Sequence, residues 1–336
     1  MTKSVWWRFA YKSVVERANV KLGEVFTIIT DDRVNPEIAE ALFTVGVSQT
    51  EHTQVLKIRS YHYSEEPVNL NPAVVEIMKN SNVIITVCQT RIGQTTACRE
   101  ALAAGARILL TEPEHRETFL LDGLLNVDYD AMLQNARFFS DIMRERKHCK
   151  ITSASGTDLE FSIGERPVIV SPGGVSKPGE MDWYPGAMSN VAPIEETIFG
   201  TVAVDGSLFP YGLVEETPVF LDIERGVIKN IRGGRLARRF EKWLKSLNDP
   251  VAYRFCHFSV GFNPQAAIRG AIMEDERCLG AVTIGFGRQP KDLKGAIQGG
   301  EHHLDVILKP PTISIGGQAI IDQGIFNENL GFLNMT

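Results

Sequence analysis

VIITVCQTRIGQTTACREALAAGARILLT, residues 83–111, decides the fold of the first half of the chain. A β-branched run, VIITV, gives way to a polar loop and then to Ala97, Ala101 and Ala104 at helical spacing, stopped by Gly105. RILLT (107–111) follows as a second apolar run. Two buried strands joined by a helix are parallel, because the crossover returns the chain to the same end of the sheet. Working outward, FTIIT (26–30) and VLKIR (55–59) read as further strands. Helical patterns run from Pro36 to about Val45 and from Asn71-Pro72 through Val75 and Met78, and a stretch over 131–146 closes the unit. The reading is a parallel α/β sheet. No GxGxxG or GKS/T loop follows any of these strands, so nucleotide binding has no support.

Near Lys147 the pattern changes. KITSASGTDLEFSI (150–163) reads as two alternating strands around Ser155-Gly156, and TPVFLDIERGVIKNIRGG (217–234) as a second hairpin turning at Arg225-Gly226. One amphipathic helix, about 235–247, interrupts before strands resume at 255–261, 280–287, 303–308 and 319–321. The expected architecture is α+β. An N-terminal α/β parallel-sheet domain covers 1–147, and a β-rich, metal-binding catalytic domain covers 148–336.

With 336 residues, 43% hydrophobic and 23% charged, the chain has the balance of a globular enzyme. A net charge of −6 carries no basic excess, which argues against nucleic acid. The apolar runs are strand-sized, which argues against a membrane span. MTKSVWWRFAYKS lacks the apolar core and small-residue cleavage site of a signal peptide. Five scattered cysteines without a CxxC pair suit a reducing cytoplasm. A cytoplasmic homo-oligomer acting on a small molecule is expected.

Three of the seven histidines lie in the last third of the chain. In a strand opening at HHLD, His303 and Asp305 share a face while His302 and Leu304 point away. That H-x-D spacing supplies two members of a two-histidine, one-carboxylate set, the arrangement that leaves positions open on non-haem Fe(II). The plain alternative is a solvated His and Asp on an edge strand. His257, in the apolar strand CHFSVGFNP, is the candidate third ligand; a hydrogen-bonded core histidine is its alternative. Cys256 is adjacent, but alternation sends it to the other face.

HFSVGFNP, IMEDERCLGAVTIGFG, GGEHHLD and TISIGGQAIIDQG together resemble the C-terminal half of the leucyl aminopeptidase (thermophilic metallopeptidase) family. The likeness covers most of 150–325. That family's pattern implies two metals, but His257 stands here for a glutamate, Thr283 for a histidine and Met188 for another glutamate. A dinuclear centre needs both ions to clamp a hydrolytic transition state, so the altered set implies one metal.

The altered set resembles the 2,5-dihydroxypyridine 5,6-dioxygenase family, the ring-cleaving branch of the same superfamily, where a histidine in S-H-I-G-W-G-x-Q-P and a C-H-L-D stretch hold Fe(II). HFSVGFNPQ and HHLD fit it. PGEMDWYPGA (178–187) resembles the P-G-R-W-D-H-W-P-S-G of that family, with Trp183 in place of its histidine. Asp182 and Tyr184 are therefore the candidate acid/base residues. Trp183 is a candidate substrate contact, with Gln89 and Arg91 at the carboxyl end of a parallel strand, where open α/β sheets place ligands. Arg91 suits a carboxylate or ring oxygen. The resemblance implies an Fe(II)-dependent extradiol-type dioxygenase that opens a hydroxylated aromatic or dihydroxypyridine-like ring with O₂, with His257, His303 and Asp305 on the metal. Its rivals are a one-metal metallo-aminopeptidase-like hydrolase and a non-catalytic relative that binds a small molecule.

Overall fold

Five parallel strands form the sheet of the first unit in the computed structural model, which describes residues 6–61, 68–112 and 127–335. In spatial order they are Thr53–Ile58, Phe26–Asp31, Val83–Val87, Arg107–Thr111 and Met181–Trp183. Each neighbouring pair is parallel. Three of them, Phe26–Asp31, Val83–Val87 and Arg107–Thr111, are buried along their whole length, as a sheet covered on both faces requires. Helices Pro36–Gly46, Pro72–Lys79 and Thr96–Ala103 form as expected, each started by a side chain that satisfies a free N–H. Asn35 accepts from Glu37 N, Asn71 from Ala73 N and Thr95 from Cys98 N. The N-terminal stretch read for a signal peptide lies partly outside the described residues.

The chain divides into two compact units, Met1–Asn126 with Ser171–Gly186, and Val127–Val170 with Ala187–Thr336. This differs from the expected cut at residue 147 in two places. Helix Tyr129–Arg146 belongs with the second unit, because its buried face is used there: Phe139 meets the Phe262 ring at 5.8 Å, and Ser140 Oγ lies 2.7 Å from Ser189 Oγ. Ser171–Gly186 returns to the first unit because Met181–Trp183 adds a strand beside Arg107–Thr111. A parallel pairing across some 70 residues leaves no local mark in a sequence.

The second unit holds two antiparallel sheets. The eight-stranded one runs Val227–Arg232, Val219–Glu224, Phe199–Val204, Asp158–Ser162, His148–Thr152, Thr312–Ile315, Gln318–Asp322, Ile325–Phe326. Both expected hairpins are in it. At the second turn Arg225 (φ 49°) and Gly226 (φ 69°) are both left-handed, as a tight turn matched to strand twist needs. The seven-stranded sheet runs Gly212–Leu213, Ser207–Leu208, His303–Leu308, Val282–Gly287, Phe255–Gly261, Met188–Val191, Val168–Ser171. Phe161 of the first sheet meets Phe255 and Phe258 of the second at 6.2 and 5.2 Å, so one face of the Phe255–Gly261 strand is spent on the core. The α+β architecture read from the sequence is the one observed. Among the described residues no helix is long and apolar enough to cross a membrane.

Candidate metal centre

His257, His303 and Asp305 meet on the other face of the seven-stranded sheet. The strands Phe255–Gly261 and His303–Leu308 are not neighbours, since Val282–Gly287 lies between them. In the register, His257 pairs with Gly285, Gly285 with Asp305, and Gly287 with His303. Directly paired residues of antiparallel strands share a face, so all three side chains project together. His257 and Asp305 start two strand spacings apart, about 10 Å, and the imidazole must cross the middle strand. Glycine at 285 permits this: a Cβ there would lie 2.2 Å from His257 Cδ2 and Nε2.

The three side chains are about nine-tenths buried, and their polar atoms converge. His257 Nε2 is 3.1 Å from Asp305 Oδ1 and 3.4 Å from His303 Nε2, and His303 Nε2 is 3.3 Å from Asp305 Oδ1. The two rings stack at 5.2 Å and 12°.

The surroundings fix where the ring protons sit. Ser259 Oγ donates to Asn190 Oδ1 at 2.7 Å, so towards His257 Nδ1, 3.0 Å away, it acts as acceptor. Asn190 Nδ2 in turn donates to Ile169 O at 3.3 Å, which orients the amide. On the other histidine, Nδ1 donates to Arg288 O at 2.8 Å. In the neutral form each ring therefore carries its hydrogen on Nδ1 and turns an Nε2 lone pair inwards. Two imine nitrogens and a carboxylate oxygen facing one another repel unless a cation lies among them. For metal–ligand bonds of about 2.1 Å, ligand atoms sit about 3.0 Å apart at right angles and about 3.4 Å apart at a tetrahedral angle. The three observed separations fall in that window, so the donor set fits a divalent metal. The outer partners are of the kind that orient ligating histidines.

Without a metal, the charges settle within the cluster. Burial raises the Asp305 carboxyl, but the His303 charge and the close approach of the two imidazoles outweigh it, leaving it well below the usual carboxylate range. Burial lowers His303, but Asp305 and then Cys256 outweigh that, and it rises well above an ordinary histidine. With no metal bound, a proton on His303 answers the Asp305 charge.

Cys256 departs from the expectation. The register shifts between Phe255 and His257, a bulge that breaks strict alternation, and the thiol lies 3.7 Å from His303 Nδ1. Cys256, His257 and His303 thus also form a group with ligand atoms within 4.8 Å of one another. In that grouping the thiol faces His303 Nδ1, whose hydrogen is given to Arg288 O, and burial opposes the thiol's deprotonation. The Nε2 set is the better donor set. His302 points away, as expected: its Nδ1 is 3.2 Å from Asp249 Oδ2.

Thr283 is fully buried two residues from Gly285, and its hydroxyl finds no hydrogen-bond partner among the described residues; Met188 is a buried apolar residue. Neither is placed to hold a second ion by a charged or imidazole group. Glu276 was absent from the sequence reading; burial raises its carboxyl against the neighbouring Arg277, and the Asp305 charge adds to the rise.

The other five sequence candidates belong to the first compact unit, and most are already committed there. Asp182 is buried, accepting from Gly173 N at 2.6 Å, Gly174 N at 3.2 Å and Trp183 N at 2.9 Å. Tyr184 is 1% exposed, stacked on Phe9 at 6.2 Å. Asp182 thus ties down its own loop and Tyr184 packs in the core of the first unit. Trp183 donates Nε1–H to Glu112 at 3.4 Å and packs under Gly93, where a Cβ would approach its ring to 3.0 Å. Gln89 N–H is given to Asp31 at 2.8 Å, its side chain half-buried. Arg91, also half-buried, precedes the short turn Ile92–Gln94 at the carboxyl end of the sheet. Ser259, Asn190 and Gly285 were missed by the sequence reading. Ser259 was within reach, two residues from His257 on the same strand face; the other two needed the register.

Comparison with known proteins completes the picture. The solved structure of 2,5-dihydroxypyridine dioxygenase from Pseudomonas putida KT2440 superposes with a TM-score of 0.79 at 17% identity, over 97% of this chain and 98% of that one. Wild-type AmpT from Thermus thermophilus gives 0.67 at 15% identity, over 96% and 98%. Both show a shared fold. The 2,5-dihydroxypyridine 5,6-dioxygenase of Pseudomonas putida is 25% identical over 235 residues, 67% of this chain, and the match spans 65% of that protein's length. The family model described as NicX, 2,5-dihydroxypyridine 5,6-dioxygenase, matches residues 6–328, and the chain belongs to that family.

Proposed function

We propose that His257, His303 and Asp305 hold a single Fe(II), and that the protein is a non-haem dioxygenase cleaving a hydroxylated aromatic or dihydroxypyridine-like ring with O₂. The observation that carries this reading is the convergence of two histidine lone pairs and one carboxylate oxygen, with both ring tautomers fixed from outside. Family membership and the name of the Pseudomonas putida relative support the substrate class and the reaction. When bound, Fe(II) in such a two-histidine, one-carboxylate set supplies open coordination positions and the redox chemistry that ring opening by O₂ requires.

The protein's own part is arrangement. Asp305 brings one negative charge and the histidines none, so the site would retain net positive charge to attract an ionised ring hydroxyl. Ser259, Asn190 and Arg288 O keep both rings aimed. The burial of all three side chains limits water around them, which strengthens each electrostatic interaction. We place the enzyme, as a homo-oligomer, in the cytoplasm; all five cysteines are unpaired, which suits a reducing compartment.

The test is anaerobic reconstitution with Fe(II), metal analysis, then O₂ uptake with and without 2,5-dihydroxypyridine. About one iron per chain and ring loss in step with O₂ uptake are expected. Tight Zn²⁺, no O₂ uptake and hydrolysis of a small amide would instead support the hydrolase. Binding of the ring compound without turnover would make the protein a non-catalytic relative.

A further inference from the structure

Asp249 lies outside the ligand set, yet it joins the two strands that deliver the histidines. It precedes the short helical turn Pro250–Tyr253, which leads directly into Phe255–Gly261 and His257. Its side chain is only 10% exposed. Oδ1 accepts Val251 N at 2.9 Å. Oδ2 accepts Glu301 N at 2.9 Å, His302 N at 3.3 Å and His302 Nδ1 at 3.2 Å. Glu301 and His302 are the two residues immediately before His303.

One carboxylate therefore holds the approaches to two strands that the sheet itself keeps apart. A second contact lies at the same place. Gly300 (φ +84°) rests on Val251, where a Cβ would come within 2.7 Å of Val251 Cγ1. The middle strand is tied in as well, since Gly287 N donates to Arg254 O at 2.8 Å and Arg288 N to His302 O at 2.7 Å. Bonds from N–H groups to a buried carboxylate are charge-assisted and roughly twice as strong as neutral ones.

We propose that Asp249 is a positioning residue for the metal centre, fixing the start of the His303 strand against the approach to the His257 strand so that the two imidazoles meet at ligand spacing. The inference rests on the metal reading above. It assigns Asp249 no contact with metal or substrate.

The test uses the full chain, metal-free, with Co²⁺ as an anaerobic probe. Asp249→Ala, Asp249→Asn and His302→Ala are compared with Asp222→Ala. Asp222 is a carboxylate of the other sheet that accepts from Thr201 at 2.9 Å and from Arg232 at 2.7 Å. Four readouts are taken: Co²⁺ affinity, the Co²⁺ visible spectrum, amide exchange over residues 299–303 and the metal-free thermal midpoint.

Asp249→Ala is expected to weaken Co²⁺ binding by about tenfold, the low end of what losing a group bonded directly to a ligand costs. It should also alter the spectrum and speed exchange at residues 301 and 302. Asp249→Asn, whose amide oxygen still accepts, should recover part of the affinity. His302→Ala, which removes one donor of four, should lose less than Asp249→Ala, and Asp222→Ala should bind as the parent does.

The proposal is overturned if Asp249→Ala binds Co²⁺ as tightly as the parent, or if Asp222→Ala loses as much affinity at a similar thermal midpoint. Should Asp249→Ala not fold, Asp249→Asn decides: parent-like affinity together with parent-like exchange at 301–302 counts against the role. If the parent itself binds neither Co²⁺ nor Fe(II), the metal reading fails first, and that result is separate from a parent that binds and an Asp249 variant that does not differ.

Discussion

The His257 imidazole passes directly over Gly285, so closely that a Cβ at 285 would lie 2.2 Å from its Cδ2 and Nε2. Gly285→Ala therefore tests the proposed ligand role of His257 while leaving His257, His303 and Asp305 in the chain. The ring is buried and cannot swing into open space, so the added methyl must displace it from Asp305, 3.1 Å away. Overpacking of this kind costs about 1–3 kcal/mol, which a domain of this size survives. Metal content of the purified variant should fall to near zero while far-ultraviolet circular dichroism stays that of the parent. Full metal occupancy in a folded Gly285→Ala protein would remove His257 from the site.

Ser259 sits between His257 Nδ1 and Asn190 Oδ1, at 3.0 and 2.7 Å. Ser259→Ala takes away the acceptor that keeps the His257 hydrogen on Nδ1 and the hydroxyl that donates to Asn190 Oδ1. Outer-partner losses lower metal affinity about 10–100-fold, and the buried His257 Nδ1–H left without its acceptor costs about 1–3 kcal/mol of stability. Competition with a chelator should show the weaker binding at full ligand complement. Thr283→Val, on the same strand face, is the contrast. Its hydroxyl has no partner among the described residues, so removing it should leave metal affinity unchanged and the thermal midpoint equal or slightly higher.

How much of this was legible in the sequence follows from the distance over which each feature is decided. The H-x-D pair needed only the two-residue period of a strand. Four strands of the parallel sheet needed only apolar β-branched runs separated by helical patterns, while the fifth, Met181–Trp183, returns from some 70 residues away and left no mark. Cys256 was misjudged because alternation fails at a bulge, and a bulge is set by the partner strand. Gly285 carried no signal, since its importance appears only once His257 and Asp305 are known to flank it. Asp182 and Tyr184 were chosen from a motif position, and their burial and loop contacts could not be read from that motif.

Arg91 is tested apart from the metal. It stands at the carboxyl end of Val83–Val87, where parallel sheets present ligand-binding groups. If it binds a substrate oxygen, Arg91→Ala should raise KM about tenfold or more with kcat little changed, the mark of a lost uniform contact. Iron content should match the parent. An unchanged KM would end its role.

The ligand set itself is tested by single replacements. His257→Ala, His303→Ala and Asp305→Ala should each lose iron and O₂ uptake together, because two remaining ligands hold Fe(II) weakly. His302→Ala should retain most of its iron, since that ring faces Asp249 and not the cluster. Cys256→Ser should also retain iron if the Nε2 set is the true one. Loss of iron in Cys256→Ser with retention in Asp305→Ala would show that the thiol, not the carboxylate, completes the site.

The pH dependence follows from the proton that stands in for the metal. His303 is raised above its ordinary 6.5, so without metal its contribution to stability is complete below about 6.5 and is lost as pH rises through the folded value. Asp305 is lowered below 3.8, so its contribution is present above 3.8 and is lost as pH falls through the depressed value. The pair thus supports the metal-free protein best between 3.8 and 6.5 and progressively less above that window. A metal ion must displace the His303 proton to bind, so its affinity should climb with pH, by up to about tenfold per unit for one proton released. Thermal midpoints with and without Co²⁺ at about pH 6 and about pH 8 measure both effects, and the shift on metal addition should be larger at the higher pH. His303→Ala should abolish the metal-induced shift at both values. An equal shift at the two pH values in the parent would mean that His303 binds its metal without giving up a proton, against the raised pKa argued from Asp305.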